Sequence, residues 1–250
     1  MAMKLKTRKR PDREDKPLKE ATKISNKVLD DATMLVLHHM LRQKHFDTLD
    51  YPVSQGKEAM VFRATRGQGY AAVKVFKYET SSFHQMEKYV EGDPRFTREA
   101  HGHRDLVNIW SRKEYANLQM CEEKGVTAPR PIACEKNVVA MEFLGVKGVA
   151  SALLKDVVLK DPEKTLETIL ENIYKTYSAG LVHADLSEFN IIIHKGEPYF
   201  IDWGQAVLHA HPLAEEFFLK DVTNILKFFS KIGVHRDLKE TLLRLKAGKR

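Results

Sequence analysis

Cysteine is scarce in this chain: Cys121 and Cys134 are the two among 250 residues, in no C-x-x-C pair and beside no histidine cluster. That argues against a zinc site and against the disulfide framework of a small secreted protein, and it fits a reducing cytoplasm. Long apolar runs are missing as well. None approaches the roughly 18 residues that a bilayer-spanning helix needs, and the charged start is followed by no apolar export segment, so no membrane partner is expected. No internal repeat is visible, and glycine is sparse where a glycine-rich phosphate loop would place it.

What is present suits one large domain or two lobes sharing a cleft, with 43% hydrophobic residues to build a core. The net charge of +7 is unevenly placed. Residues 1–27 hold ten Lys or Arg against four Asp or Glu, and residues 239–250 hold five against one, which leaves the middle at −3. Basic ends on a slightly acidic body suit an enzyme tethered to a polyanion, because Lys and Arg release counterions from phosphates. Equally, charged ends can be plain solvated chain. With Pro11, Pro17 and many charges, residues 1–24 read as a flexible basic arm, residues 25–144 as a helix plus a nucleotide-binding lobe, and residues 145–250 as a second lobe with the catalytic loop.

A helix is expected from Ser25 or Asn26 to about Lys44, with Val28, Ala32, Leu35, Val36 and Met40 on one face. His38 and His39 within it point in different directions and have no third ligand near them. Tyr51 to Phe76 then reads as strand, small-residue loop, strand, Gly67-Gln68-Gly69 turn and strand; the loop Ser54-Gln55-Gly56-Lys57-Glu58 would bring backbone amides to a nucleotide's phosphates. Lys74 stands inside an apolar strand, where an ammonium is costly to desolvate without an anion. The helix expected over Asp105–Glu123 offers one, because Leu106, Trp110, Glu114, Leu118 and Cys121 recur at helical spacing and put Glu114 in the apolar face. Between them, residues 77–104 show little periodicity and read as a long mobile segment, with Thr80, Ser81 and Ser82 as possible phosphate acceptors or plain loop residues.

Beyond Pro131 two strands are expected, the second ending in Met141-Glu142-Phe143-Leu144-Gly145, a hinge whose backbone could meet an adenine. A helix with Leu166, Ile169, Leu170, Ile173, Tyr174 and Tyr177 on one stripe should stop at Gly180, and a last helix should run over about Leu213–Lys231. Between these lies His183-Ala184-Asp185-Leu186-Ser187-Glu188-Phe189-Asn190, then two short apolar runs joined by Lys195-Gly196-Glu197, then Ile201-Asp202-Trp203-Gly204. An acid five residues before an amide, with a second acid twelve residues further on at a hairpin's exit, is a layout that suits phosphoryl transfer. Asp185 would orient the attacking hydroxyl, Asn190 and Asp202 would hold metal ions, and the Lys74–Glu114 pair would fix ATP phosphates.

The motifs Ser54-Gln55-Gly56-Lys57-Glu58-Ala59-Met60-Val61-Phe62, Leu181 to Asn190 and Ile201-Asp202-Trp203-Gly204-Gln205-Ala206-Val207 together resemble the RIO family of atypical serine/threonine protein kinases. The Ala184-Asp185-Leu186-Ser187-Glu188 form and His211-Pro212-Leu213-Ala214-Glu215-Glu216-Phe217 are similar to its first branch, in an archaeal-like short form. The resemblance implies an α+β, two-lobed, reduced protein-kinase-like fold with an N-terminal helical extension. It further implies ATP with Mg2+ or Mn2+, autophosphorylation, and a part in maturing the small ribosomal subunit, with the subunit precursor and its RNA as partners. Lys74, Asp185 and Asp202 carry over as catalytic residues, Glu114 as the lysine's partner, and Asn190 and Asp202 as metal ligands. It also raises a route in which Asp202 itself accepts phosphate. Two other readings use the same residues: a small-molecule phosphotransferase of the aminoglycoside and choline kinase type, and an ATP-dependent conformational switch on the pre-ribosome.

Overall fold

The computed structural model describes residues 29–79, 83–96 and 101–247, and its first element is the helix α1 (Asp31–Arg42). Asp30 caps it, its carboxylate accepting the Thr33 N–H at 2.8 Å. Its buried face is Thr33, Val36, Leu37 and Met40. Leu35, expected on that face, is 71% exposed, because one residue's step of about 100° turns it away from the Val36 stripe. Val28 and the expected helix start at residues 25–26 lie outside the described residues.

Five antiparallel strands follow: β1 (Thr48–Gln55), β2 (Ala59–Arg66), β3 (Gly69–Phe76), β4 (Pro131–Glu135) and β5 (Val138–Glu142), in the order β1-β2-β3-β5-β4. β3 is central and buried on both faces from Ala71 to Phe76. Successive residues of a strand face opposite ways. Ala71, Val73 and Val75 therefore join α1 in one core, with Val36, Leu37 and Met40, while Ala72 and Phe76 join the other, with Leu106, Trp110 and Leu118 of the helix α3 (His103–Glu123). Alternation alone thus turns Lys74, between Val73 and Val75, onto the α3 side.

The stretch expected to be long and mobile holds structure instead. A helix α2 (Phe83–Val90) buries Met86, Tyr89 and Val90, and a 3-10 turn spans Pro94–Phe96. The Tyr89 ring lies 6.0 Å from that of Trp110 and 5.2 Å from that of Phe217, so three apolar side chains anchor a segment whose composition is otherwise polar. Thr80, Ser81 and Ser82 fall outside the described residues.

A short hairpin follows the sheet, β6 (Gly145–Val146) and β7 (Val149–Ala150), its Gly148 carbonyl accepting from Tyr51 and Arg63, each at 3.2 Å, and then comes a helix α4 (Pro162–Ser178) capped by Asp161. β8 (Leu181–Val182) leads into the loop before β9 (Ile191–His194) and β10 (Glu197–Phe200). Lys195 and Gly196 both have positive φ, which suits the tight turn of the β9–β10 hairpin. β11 (Val207–Leu208) pairs back onto β8, and α5 (Ala214–Lys231) buries Phe217, Phe218, Asp221, Val222, Ile225, Leu226 and Phe229. Beyond α5 lies a second unexpected helix, α6 (Leu238–Ala247), with Thr241 and Leu245 buried. Its basic residues are partly engaged within the molecule: Arg244 donates to Glu167 at 2.9 Å, and Lys246 pairs with Glu215. Of the two alternatives for this end, plain solvated chain does not hold for residues 239–247.

Candidate active site

Lys74 donates to both oxygens of Glu114, at 2.8 and 2.7 Å, and to Oδ1 of Asp202 at 2.8 Å. Glu114 is fully buried in α3 and Lys74 nearly so. Burial alone would lower the Lys74 pKa, but the charges of Asp202 and Glu114 outweigh it and raise it. Burial pushes the Glu114 carboxyl up, against the pull of Lys74. One ammonium held by two carboxylates joins the two lobes and leaves the cluster an excess of negative charge.

The loop after β8 is fixed from behind. Asp221 of α5 accepts the N–H groups of Ala184 and Leu186, each at 2.8 Å, and Asn224 donates to the Leu186 carbonyl at 3.2 Å. Burial raises the Asp221 pKa to about 7, although the two backbone donors oppose it. Ala184 is held at φ +69, a conformation uncommon for a residue with a side chain. His183 is buried and its Nε2 donates to the Ile201 carbonyl at 3.0 Å. Burial lowers its pKa to about 4, so near neutral pH the ring is an uncharged pin between the loop and the end of the hairpin.

Asp185 projects from this fixed loop with its side chain 40% exposed. Asn190 Nδ2 donates to its carbonyl at 2.8 Å and its Oδ2 at 3.2 Å, Gln205 donates to Oδ2 at 3.3 Å, and Lys220 Nζ stands 3.6 Å from Oδ1. Burial raises the Asp185 pKa, with Lys220 pulling the other way. The hairpin brings its two ends together as expected, the Ile201 N–H donating to the Asn190 carbonyl at 3.0 Å. Asp202, at φ +65, has a half-exposed side chain.

The segment after Asp202 is gripped by two residues of α3 that sequence pattern alone does not single out. Asn117 donates to the carbonyls of Trp203 at 2.8 Å and Ala206 at 3.2 Å, and Lys113 donates to those of Gly204 at 3.2 Å and Ala206. Lys113 is fully buried, with Asp93 4.0 Å away, and burial lowers its pKa to about 7. A Cβ on Gly204 would lie 2.8 Å from Trp110 Nε1, so the close approach of this segment to α3 requires glycine.

The other residues assigned to nucleotide binding lie along the sheet. Gly56 donates to the Ala59 carbonyl at 2.9 Å and accepts from Lys77 at 2.7 Å, forming the β1–β2 turn; Ser54, Gly56 and Lys57 are exposed, and no hydrogen bond brings them to the Lys74 cluster. Glu58 is near enough to raise the pKa of Glu114 by its charge. Met141 is buried opposite Ala72, on the face that carries Lys74. The Glu142 carboxylate accepts from Arg130 at 3.2 Å, and Phe143 packs edge-on against Tyr70 at 5.9 Å.

A five-stranded antiparallel lobe with an inward Lys–Glu pair, joined through an aspartate to a helical lobe with a pinned Asp–Asn loop, defines the protein-kinase-like class of phosphotransferases. Within that class, the RIO domain model matches residues 60–242. The RIO-type serine/threonine-protein kinase Rio1 of Haloferax volcanii is 42% identical over 216 residues, covering 86% of this chain and 74% of that one. The same-named protein of Methanocaldococcus jannaschii is 39% identical over 222 residues, covering 88% and 76%. A crystal structure of the Rio2 kinase from Chaetomium thermophilum, a complex with ADP/Mg2+ and phosphoaspartate, superposes with a TM-score of 0.64 at 22% identity, over 83% of this chain and 64% of that one, and shares the fold. The chain belongs to the RIO family and is a kinase of the serine/threonine type. Among the described residues, no helix is long and apolar enough to cross a membrane.

Proposed function

We propose that this chain transfers the γ-phosphoryl group of ATP to serine or threonine hydroxyls, its own among them, and that it works in the cytoplasm on a precursor of the small ribosomal subunit. The observation that carries the catalytic part is Lys74 held by Glu114 and Asp202 at 2.7–2.8 Å. On this reading the ammonium meets the α and β phosphates and Asp202 lies beside them. Asp185 orients the acceptor hydroxyl and takes its proton as the oxygen attacks phosphorus, while the bridging electron pair leaves with ADP. Family membership favours a protein acceptor over the small-molecule phosphotransferase reading.

The donor set suits a divalent cation shared with the nucleotide. Among the described residues no group of three or more His, Cys, Asp or Glu converges. Asn190 spends its amide nitrogen on Asp185, which leaves its carbonyl oxygen as the ligand atom, and half of the Asp202 side chain is open. Two side chains plus phosphate oxygens and water are the usual holders of Mg2+, which neutralises phosphate charge when bound. Incubating the protein with γ-labelled ATP, alone and with small-subunit precursors, tests the proposal: label on Ser or Thr supports it, and label on an added aminoglycoside or choline but on no protein overturns it.

A second reading rests on Asp202, whose half-open carboxylate has a single ammonium on one oxygen. The Chaetomium thermophilum structure carries a phosphoaspartate. On this reading a free Asp202 oxygen attacks the γ-phosphorus, ADP leaves, and water later cleaves the acyl phosphate, making the enzyme an ATPase and a switch on the particle. Acid quenching followed by hydroxylamine decides it, since acyl phosphate releases its label and phosphoserine keeps it.

A further inference from the structure

We infer that Lys220 is a catalytic residue, the cation that meets the transferred phosphoryl group at the acceptor side of the cleft. The inference rests on the reading of Asp185 as the residue that orients the acceptor hydroxyl. The cations around the site have different employments. Lys74 is held by Glu114 and Asp202, Lys113 is fully buried and donates to backbone carbonyls, and His183 is neutral. Among the described residues, Lys220 is the cation that an ion pair brings to Asp185. Its Nζ lies 3.6 Å from Oδ1, on the oxygen that Asn190 and Gln205 leave alone.

The position is built, since the residues that follow Lys220 along the inner face of α5 are fastened to the same loop. Asp221 takes the N–H groups flanking Asp185, and Asn224 donates to the Leu186 carbonyl. Three hydrogen bonds thus fix the helix against the loop, while the Lys220 side chain stays half exposed. Its contact with Asp185 is longer than a hydrogen bond, so the ammonium is near the carboxylate without being committed to it.

Chemistry supplies the need. A hydroxyl oriented by Asp185 forms its new O–P bond within a few ångströms of that carboxylate, and the phosphoryl oxygens bring further negative charge to the same place. Lys74, on the nucleotide side, is already bound to two acids. Lys220 offsets the repulsion by pairing with the phosphoryl oxygens as the bond to ADP breaks, and the hydroxyl proton passes to Asp185. Preorganised donors aimed at developing charge are commonly worth about 10²–10³ in turnover.

The test follows γ-labelled ATP into the chain itself, into added casein and into water, with ATP affinity measured separately by equilibrium binding. Lys220→Met should lower total turnover about 100-fold, with ATP affinity unchanged and an unaltered melting temperature. Lys220→Arg should keep turnover within about tenfold of wild type. In an Asp185→Asn background Lys220→Met should lower the residual rate again by a similar factor, because the ammonium acts on the phosphoryl group and not through the acid. Wild-type turnover by Lys220→Met overturns the inference alone. So does the absence of any further loss in Asp185→Asn, which would leave Lys220 as a screen for the acid. A parallel loss of ATP affinity or of folding in both Lys220→Met and Lys220→Gln overturns it as well. Wild-type turnover by Asp185→Asn would remove the reading of the central acid, and the inference with it.

Discussion

Lys74, Glu114, Asp185 and Asp202 can be ranked by what each contact does. Lys74→Met removes the one ammonium that two carboxylates share, so Glu114 is left buried without its cation. ATP affinity and turnover should both fall, turnover by about 10³-fold or more. Asp185→Ala should spare ATP affinity and lower turnover by a factor on the order of 10²–10⁴; equilibrium ATP binding beside label transfer separates the two cases, and near-normal transfer by a folded Asp185→Ala would refute its role. Lys113 gives a prediction in pH. Burial brings its pKa from 10.5 to about 7, so between those values the unfolded chain binds the proton that the folded chain lacks. Stability contributed at this site therefore rises with pH through that window, by at most about 1.4 kcal/mol per pH unit. In Lys113→Met that dependence disappears, and the urea midpoint of wild type should gain on the variant from pH 7 to pH 10; parallel curves would show that Lys113 stays charged in the fold.

At the scale of elements, helix α5 and the loop after β8 act as one unit because Asp221 ties them. Asp221→Ala strips two buried N–H groups of their acceptor, at a cost of about 2–5 kcal/mol, whereas Asp221→Asn keeps one acceptor oxygen and should cost less. Urea unfolding should rank them in that order, with turnover falling in step because Asp185 sits between the two bonded amides. Glu114 could be read from periodicity because it interrupts an apolar stripe at the right phase. Asp221 lies in the same phase as two buried residues, four after Phe217 and four before Ile225, but a charged residue beside Lys220 passes as solvated surface, so the sequence pattern alone does not single it out. Lys113 likewise lies three residues after Trp110 and one before Glu114, inside a face too wide for a single stripe to reveal. Helix α2 was missed for a different reason. Eight residues with Met86, Tyr89 and Val90 buried give a weak pattern alone, and its stability comes from Trp110 and Phe217, distant in sequence. The β9–β10 hairpin was plain from its turn because Lys195-Gly196 encodes its geometry locally.

Across the whole molecule, charge is distributed in a way the fold only partly uses. Residues 1–27 carry a net +6, concentrated before the first described helix, while part of the C-terminal basic charge is paired in α6 through Arg244–Glu167 and Lys246–Glu215. The two basic ends, alike in composition, therefore differ in what they can offer a polyanion. Removing residues 1–23 takes away nine Lys or Arg and four acids, and leaves the Lys74 cluster, the Asp185 loop and α5 in place. Affinity for ribosomal RNA should drop, and the plot of log affinity against log salt should flatten by up to about 0.7–0.9 for each phosphate that the arm had neutralised. ATP affinity and label transfer to the chain itself should change far less. Neutralising Lys239 and Arg244 should flatten the salt slope less per charge than the truncation does, since Arg244 already has a carboxylate partner. Equal affinity and equal salt slope for the truncated and full chains would show that the arm is only a solvated end.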